Sequence, residues 1–125
     1  MNSDQLAQFA GQKYLSLESF RKNGQGVRTP LWFVEKDGTL YFYTVAKSYK
    51  VTRIRNNPHV RIAPCDMRGN MKGEWVDATA RLLDKAEARR ADELLNRKYG
   101  LAKRIINFFG KLRGNKRAAF AIQMA

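Results

Sequence analysis

The chain has 125 residues, which suits one domain and is short for two. Its 44% hydrophobic content, mean hydropathy of −0.54 and lack of a long apolar run fit a soluble globular domain and exclude a disordered chain or a helical membrane span. The formal net charge of +13 calls for an anionic partner: phosphate groups, carboxylate-rich ligands, nucleic acid or acidic lipid. Residues 1–10 show neither a basic n-region nor an apolar core, so no signal peptide is read. The single cysteine, Cys65, cannot form an internal disulfide, which fits a reducing cytoplasm.

Taken in chain order, residues 3–10 predict a short helix with Ser3 or Asp4 as its cap. Residues 13–20 alternate like a strand, and Lys22-Asn23-Gly24 reads as a turn. Residues 26–36 and 39–45 are rich in β-branched and aromatic side chains. They flank Asp37-Gly38, the strongest short hairpin signal. Residues 48–56 predict a short helix stopped by Pro58, because the residue before proline avoids the α region. Residues 59–65 form a strand with Val60 and Ile62 on one face. Arg68-Gly69-Asn70 turns into a further alternating strand at 74–83. Residues 85–99 are helical, with Ala88, Ala91, Leu94 and Leu95 on the buried stripe. Gly100 breaks that helix, residues 101–112 predict a second, basic one, and 116–123 a last strand. No repeat, low-complexity segment or linker interrupts the chain, so 1–125 is read as a single domain.

Six or so short strands with short flanking helices favour a closed or nearly closed barrel, since a small open sheet would leave long apolar edges exposed. A barrel also hides both faces of Leu31-Trp32-Phe33-Val34, too apolar for a half-exposed strand. Leu31, Trp32 and Phe33 cannot all face one barrel interior, so at least one is expected between subunits.

Lys47, Ser48 and Lys50 read as an anion cradle: a hydroxyl, two ammonium groups and the start of a helix, whose free N–H groups and dipole favour negative charge. The bland alternative makes Ser48 an ordinary N-cap between solvated lysines. Arg53 and Arg55 lie two apart on the helix and so on different faces; one is read toward the anion, the other toward water. Pro30 inside a strand implies an edge or bulge, because proline has no N–H for a ladder. Trp32 is open between core packing and a ligand wall. Cys65 and the only histidine, His59, are six residues apart on one strand, about 20 Å, which argues against a Cys–His pair. One Cys and one His cannot make a Cys/His structural zinc site in a monomer. GxGxxG and GxxxxGK[ST] are absent, so Rossmann and P-loop chemistry are not indicated.

The strings RxxTPLWFV, LYFYTxxxSxK and RIRNNPxVRIAPCDxRG together resemble the flavin- and deazaflavin-binding split β-barrels related to pyridoxamine 5′-phosphate oxidase. Within them the chain is most similar to the small branch assigned coenzyme F420. The resemblance runs from about Tyr14 to the C-terminus. It implies a mainly β (α+β) split barrel, a homodimer, and a cofactor site between subunits holding F420 or FMN. It also implies that Ser48 and Lys50 hold the coenzyme phosphate, with Lys47 and Arg55 nearby. By the same resemblance, Arg28, Thr29, Pro30 and Trp32 border the ring system, and Thr44, Val45 and Ala46 meet it through their backbone. The implied function is hydride transfer between the coenzyme and a small unsaturated organic substrate. No acid–base dyad is visible, which suits an enzyme whose cofactor carries the hydride.

Two other classes stay in view: a non-catalytic binder of flavin or another aromatic ligand, and a basic nucleic-acid-binding barrel. From Leu94 to Ala125 the chain has no acidic residue. These charges would suit the polyglutamate tail of F420. A nucleic-acid surface would interleave aromatics with the charges; here the aromatics concentrate at 31–43 and the charges after 97, which counts against that class.

Overall fold

A computed structural model of the chain describes residues 3–45, 48–99 and 117–124. It holds helix α1 (Ser3–Ala7), strands β1 (Tyr14–Phe20), β2 (Gly26–Trp32), β3 (Val34–Lys36) and β4 (Thr39–Val45), helix α2 (Tyr49–Asn56), strands β5 (His59–Cys65) and β6 (Val76–Leu82), helix α3 (Lys85–Tyr99) and strand β7 (Arg117–Met124). The basic helix expected at 101–112 lies outside the described residues, as do Ala46 and Lys47.

The strands form one antiparallel sheet in the order β2-β1-β5-β6-β7-β4-β3. Its two edges, β2 and β3, are consecutive in the chain with only Phe33 between them. The sheet must therefore curl until its edges meet, and one bent strand pairs with β1 before Phe33 and with β4 after it. This is a curled, split barrel. The hairpin of β3 and β4 turns on Asp37 (φ 52°) and Gly38 (φ 84°). Two successive positive φ values make the primed two-residue turn whose twist matches the strands, which is why Asp-Gly stands there.

The interior is filled by Leu15 and Leu17 of β1, Leu40 and Phe42 of β4, Val60 and Ile62 of β5, and Phe120 and Ile122 of β7. The Phe42 and Phe120 rings stack with centroids 5.2 Å apart. A second apolar cluster lies under α3, where Ala91 and Leu95 pack on Val34, Tyr43, Ala119 and Ala121. Two alanines on the outer face of β7 leave room for that helix, and the Tyr43 hydroxyl donates to the Ala88 carbonyl.

The run 31–34 is buried differently from the sequence expectation. Leu31 and Phe33 both lie in the barrel core, Val34 lies under α3, and the half-buried Trp32 packs on the α3 side. The in-and-out alternation runs on unbroken through Phe33, and α3 covers the outward pair. These residues therefore find cover within one chain, and the run does not require a subunit interface. Strand 26–36 is accordingly two elements, and the strand expected at 74–83 is shorter, at Val76–Leu82.

The bend is braced from α3. The Lys98 ammonium donates to the Phe33 carbonyl at 2.8 Å and sits 3.6 Å from the centroid of its ring. Burial lowers the Lys98 pKa to about 8, with the Glu35 carboxylate opposing that shift. The folded value lies below the ordinary 10.5, so the folded state holds this proton less firmly than the unfolded chain does. Its contribution to stability therefore rises as pH climbs from about 8 toward 10.5. Lys98→Met should flatten the rise in denaturation midpoint across that window; an unchanged pH slope would place the titration elsewhere.

Candidate functional site

Pairing between the bent strand and β4 runs through Lys36↔Thr39, Glu35↔Leu40 and Val34↔Tyr41 and then stops. Before Phe33 the bent strand turns to β1, where Pro30 stands opposite Ser16 and Thr29 opposite Leu17. The rest of β4, through Val45, pairs only with β7. The sheet is thus split between Thr29–Trp32 and the end of β4, which do not pair with each other, and this split is the wedge. Two of the segments singled out in the sequence face each other across it. Thr29 and Trp32 are half-buried, Pro30 is exposed and Thr44 is buried. Val45 ends β4 opposite Arg117.

Helix α2 starts just beyond the end of β4 and closes that end of the barrel, burying Val51 and Ile54. Ser48 occupies the N-cap position in extended conformation, φ −68° and ψ 154°, yet its side chain makes no capping hydrogen bond. Its carbonyl accepts from the Val51 N–H at 3.1 Å. The hydroxyl oxygen is buried and, among the described residues, has no hydrogen-bond partner. Such an atom costs about 1–3 kcal/mol when left unsatisfied. The first N–H groups of the helix likewise lack acceptors within it. A ligand oxyanion would answer both needs, and the donor set of hydroxyl, amide N–H and ammonium fits a phosphate.

Lys50, half-buried beside this point, has its pKa lowered first by burial and second by the charge of Arg53. Arg53 is lowered first by burial and second by the charge of Arg21. Lys50, Arg53 and Arg21 are thus coupled in pairs, Lys50 to Arg53 and Arg53 to Arg21. Of the two arginines on α2, Arg53 is the one drawn in: its Nε donates to Ser19 Oγ at 2.7 Å. Arg55 is exposed.

Arg28 sits on the outer face of β2 in a cluster that the sequence did not disclose. The carboxylate of Glu18, only 6% exposed, pairs with Arg28 at 3.0 Å and Arg61 at 3.2 Å. Both guanidinium groups lie over the Trp75 ring, at 4.9 and 5.1 Å. The partners come from three separate strands and a loop, so no local pattern could announce them.

Cys65 is buried at the far end of β5 from His59, and its thiol pKa is raised first by burial and then by Asp66. A thiol held protonated is a poor nucleophile. Asp66 itself organises the turn of the APCDxRG string. Its carboxylate accepts from the N–H of Arg68 (2.8 Å) and Asn70 (2.9 Å) and from Asn70 Nδ2 (2.9 Å). Among the described residues no cluster of His, Cys, Asp or Glu could hold a metal ion.

Comparison with known proteins follows the same lines. Among solved structures, HutZ, described as the heme storage protein of Vibrio cholerae, superposes with a TM-score of 0.73 at 15% identity, over 99% of this chain and 89% of that one. A conserved hypothetical protein of Mycobacterium tuberculosis, Rv2991, gives 0.72 at 23% identity, over 99% and 81%. A protein described as an F420 reductase gives 0.61 at 17% identity, over 100% and 96%. These likenesses concern the fold. A search of curated proteins gives no match. The family model described as pyridoxamine 5′-phosphate oxidase matches residues 3–123, nearly the whole chain. The split barrel and that match together place the chain in the pyridoxamine 5′-phosphate oxidase family.

Proposed function

We propose that this protein is a flavin-type oxidoreductase that binds F420 or FMN in the wedge between β2 and β4, with a second copy of the chain covering its open side. The observation that carries this reading is the buried hydroxyl of Ser48, without a partner among the described residues, two positions before Lys50. In it, Ser48, the α2 N–H groups and Lys50 hold the coenzyme phosphate. Thr29, Pro30 and Trp32 line one side of the ring system, and Thr44, Val45 and Ala46 the other. Lys47 adds positive charge, Arg28 stays paired with Glu18 on the outer face of β2, and Arg55 remains at the rim. The coenzyme, when bound, supplies the hydride chemistry toward a small unsaturated substrate. The protein's part is to place the ring, fix the phosphate and keep water from the wedge.

The wedge side chains named here include no general acid or base, which favours a second reading: a protein that holds the ligand without turnover. Adding each coenzyme to the purified protein and recording the absorption spectrum distinguishes FMN from F420. Following reoxidation of the reduced coenzyme with candidate substrates then separates an enzyme from a carrier.

Ser48→Ala provides the sharpest test. A capping serine would cost about 0.5–2 kcal/mol when removed. A buried hydroxyl without a partner costs nothing to remove, so the ligand-free variant should be as stable as the parent or slightly more so, while coenzyme affinity drops by roughly 1–2 kcal/mol. Lower stability with unchanged affinity would make Ser48 a cap and nothing more.

Lys50→Ala should weaken coenzyme binding by about 1.5–3 kcal/mol, the scale of a lost charge-assisted hydrogen bond. The depressed Lys50 pKa adds a sign. In the free protein its proton is lost at lower pH than from an ordinary lysine. Affinity for the phosphate should thus fall with rising pH in the parent and less steeply in Lys50→Ala. Equal slopes in both proteins would remove Lys50 from the site.

Light scattering should report about twice the 14.4 kDa chain mass. A monomer that still binds the coenzyme would show that a single chain suffices.

A further inference from the structure

A cavity of about 690 Å³ lies along α2 beside the β1–β2 turn, and its lining includes neither Ser48 nor Lys50. Arg21, Lys22 and Arg53 line it, and none of its lining residues is acidic. Arg21 and Arg53 are close enough that the charge of one depresses the pKa of the other. Like charges gathered in this way repel unless an anion lies between them.

Arg53 is held in place by the barrel, while Arg21 is exposed on the turn beside it. The Nε of Arg53 is committed to the hydroxyl of Ser19, which is fully buried, so the orientation of its guanidinium is set by the barrel itself. The Arg21 backbone N–H donates to the Gln25 carbonyl at 2.9 Å, and its Nη1 donates to Gln25 Oε1 at 3.3 Å. Each guanidinium keeps N–H donors beyond these bonds, and two planar forks close together suit the paired oxygens of phosphate or carboxylate. Two aromatic side chains complete the wall. Phe20 stacks on His59 with centroids 5.6 Å apart, and the Tyr49 ring is 83% exposed, unusually open for so large a side chain.

We infer that this cavity is a second anion site, distinct from the Ser48 seat, which takes a phosphate- or carboxylate-bearing organic molecule with an apolar or aromatic portion set against Tyr49 and Phe20. Two sources share that chemistry: a separate small metabolite, or the far end of a coenzyme whose anionic groups extend past its first phosphate.

Inorganic pyrophosphate is the probe, titrated calorimetrically at low salt into the full-length protein. The parent should bind it saturably. The double variant Arg21→Gln, Lys22→Gln changes two exposed side chains and should keep the fold while weakening pyrophosphate at least tenfold. Ser48→Ala should change that affinity by less than twofold, which separates this site from the proposed coenzyme seat. Competition identifies the source. Displacement of pyrophosphate by FAD but not by saturating FMN assigns the cavity to the second phosphate of an extended coenzyme; displacement by neither assigns it to a separate metabolite. Failure of the parent to saturate, equal affinity in the double variant, or displacement by FMN alone would overturn the second site. Failure of FMN to bind at all would count against the coenzyme reading while leaving the pyrophosphate comparison intact.

Discussion

A change of partner at Phe33 determines most of this architecture. A strand that continued straight from Gly26 to Lys36 would pair with one neighbour along its whole length, and the sheet would stay open with two long edges. Because the chain bends at one residue, its first half completes the ladder with β1 and its second half the hairpin with β4. Closing the barrel and opening the wedge are thus the same event. The Phe33 ring is drawn into the core, where it meets Phe9 edge-on at 5.9 Å, and its carbonyl is taken up by Lys98. Both exposed ends of the break are satisfied by parts of the chain far from it in sequence.

The same bend places the candidate site at a junction of rigid elements. β4 is covered on both faces, by the barrel core and by α3, so its C-terminal end is a fixed platform from which α2 begins. α2 is anchored through Val51, Ile54 and the Arg53–Ser19 bond. Ser48 is caught between these two anchored elements. Its hydroxyl oxygen is buried there without a capping bond or, among the described residues, any other hydrogen-bond partner.

Much of the fold was legible because its signals are local. Asp37-Gly38 forces a tight turn, Pro58 ends α2, and the stripe of Ala91 and Leu95 marks the buried face of α3. The β5 bounds matched the expected His59–Cys65. What escaped was non-local. Cover supplied by α3, far along the chain, cannot be seen inside a run of four large apolar residues, so 31–34 suggested an intermolecular surface that its burial does not require. Nothing near Glu18 in sequence announces its partners, since Arg28 and Arg61 arrive from other strands. Helical spacing told that Arg53 and Arg55 diverge but not which turns inward; that was decided by Ser19, 34 residues earlier in the chain.

Pro30 adds a consequence for the protein's behaviour in a crowded solution. Its ring keeps the ladder with β1 intact only because the missing N–H faces away from β1, toward the wedge. An unpaired strand edge invites another chain to zip onto it. Here the inviting edge lacks a donor in its middle, so an incoming strand would meet a gap in its hydrogen bonds. A planar ring needs no continuous ladder and suffers no such penalty. One imide nitrogen thereby lets the wedge stay open to small molecules while making it a poor template for aggregation.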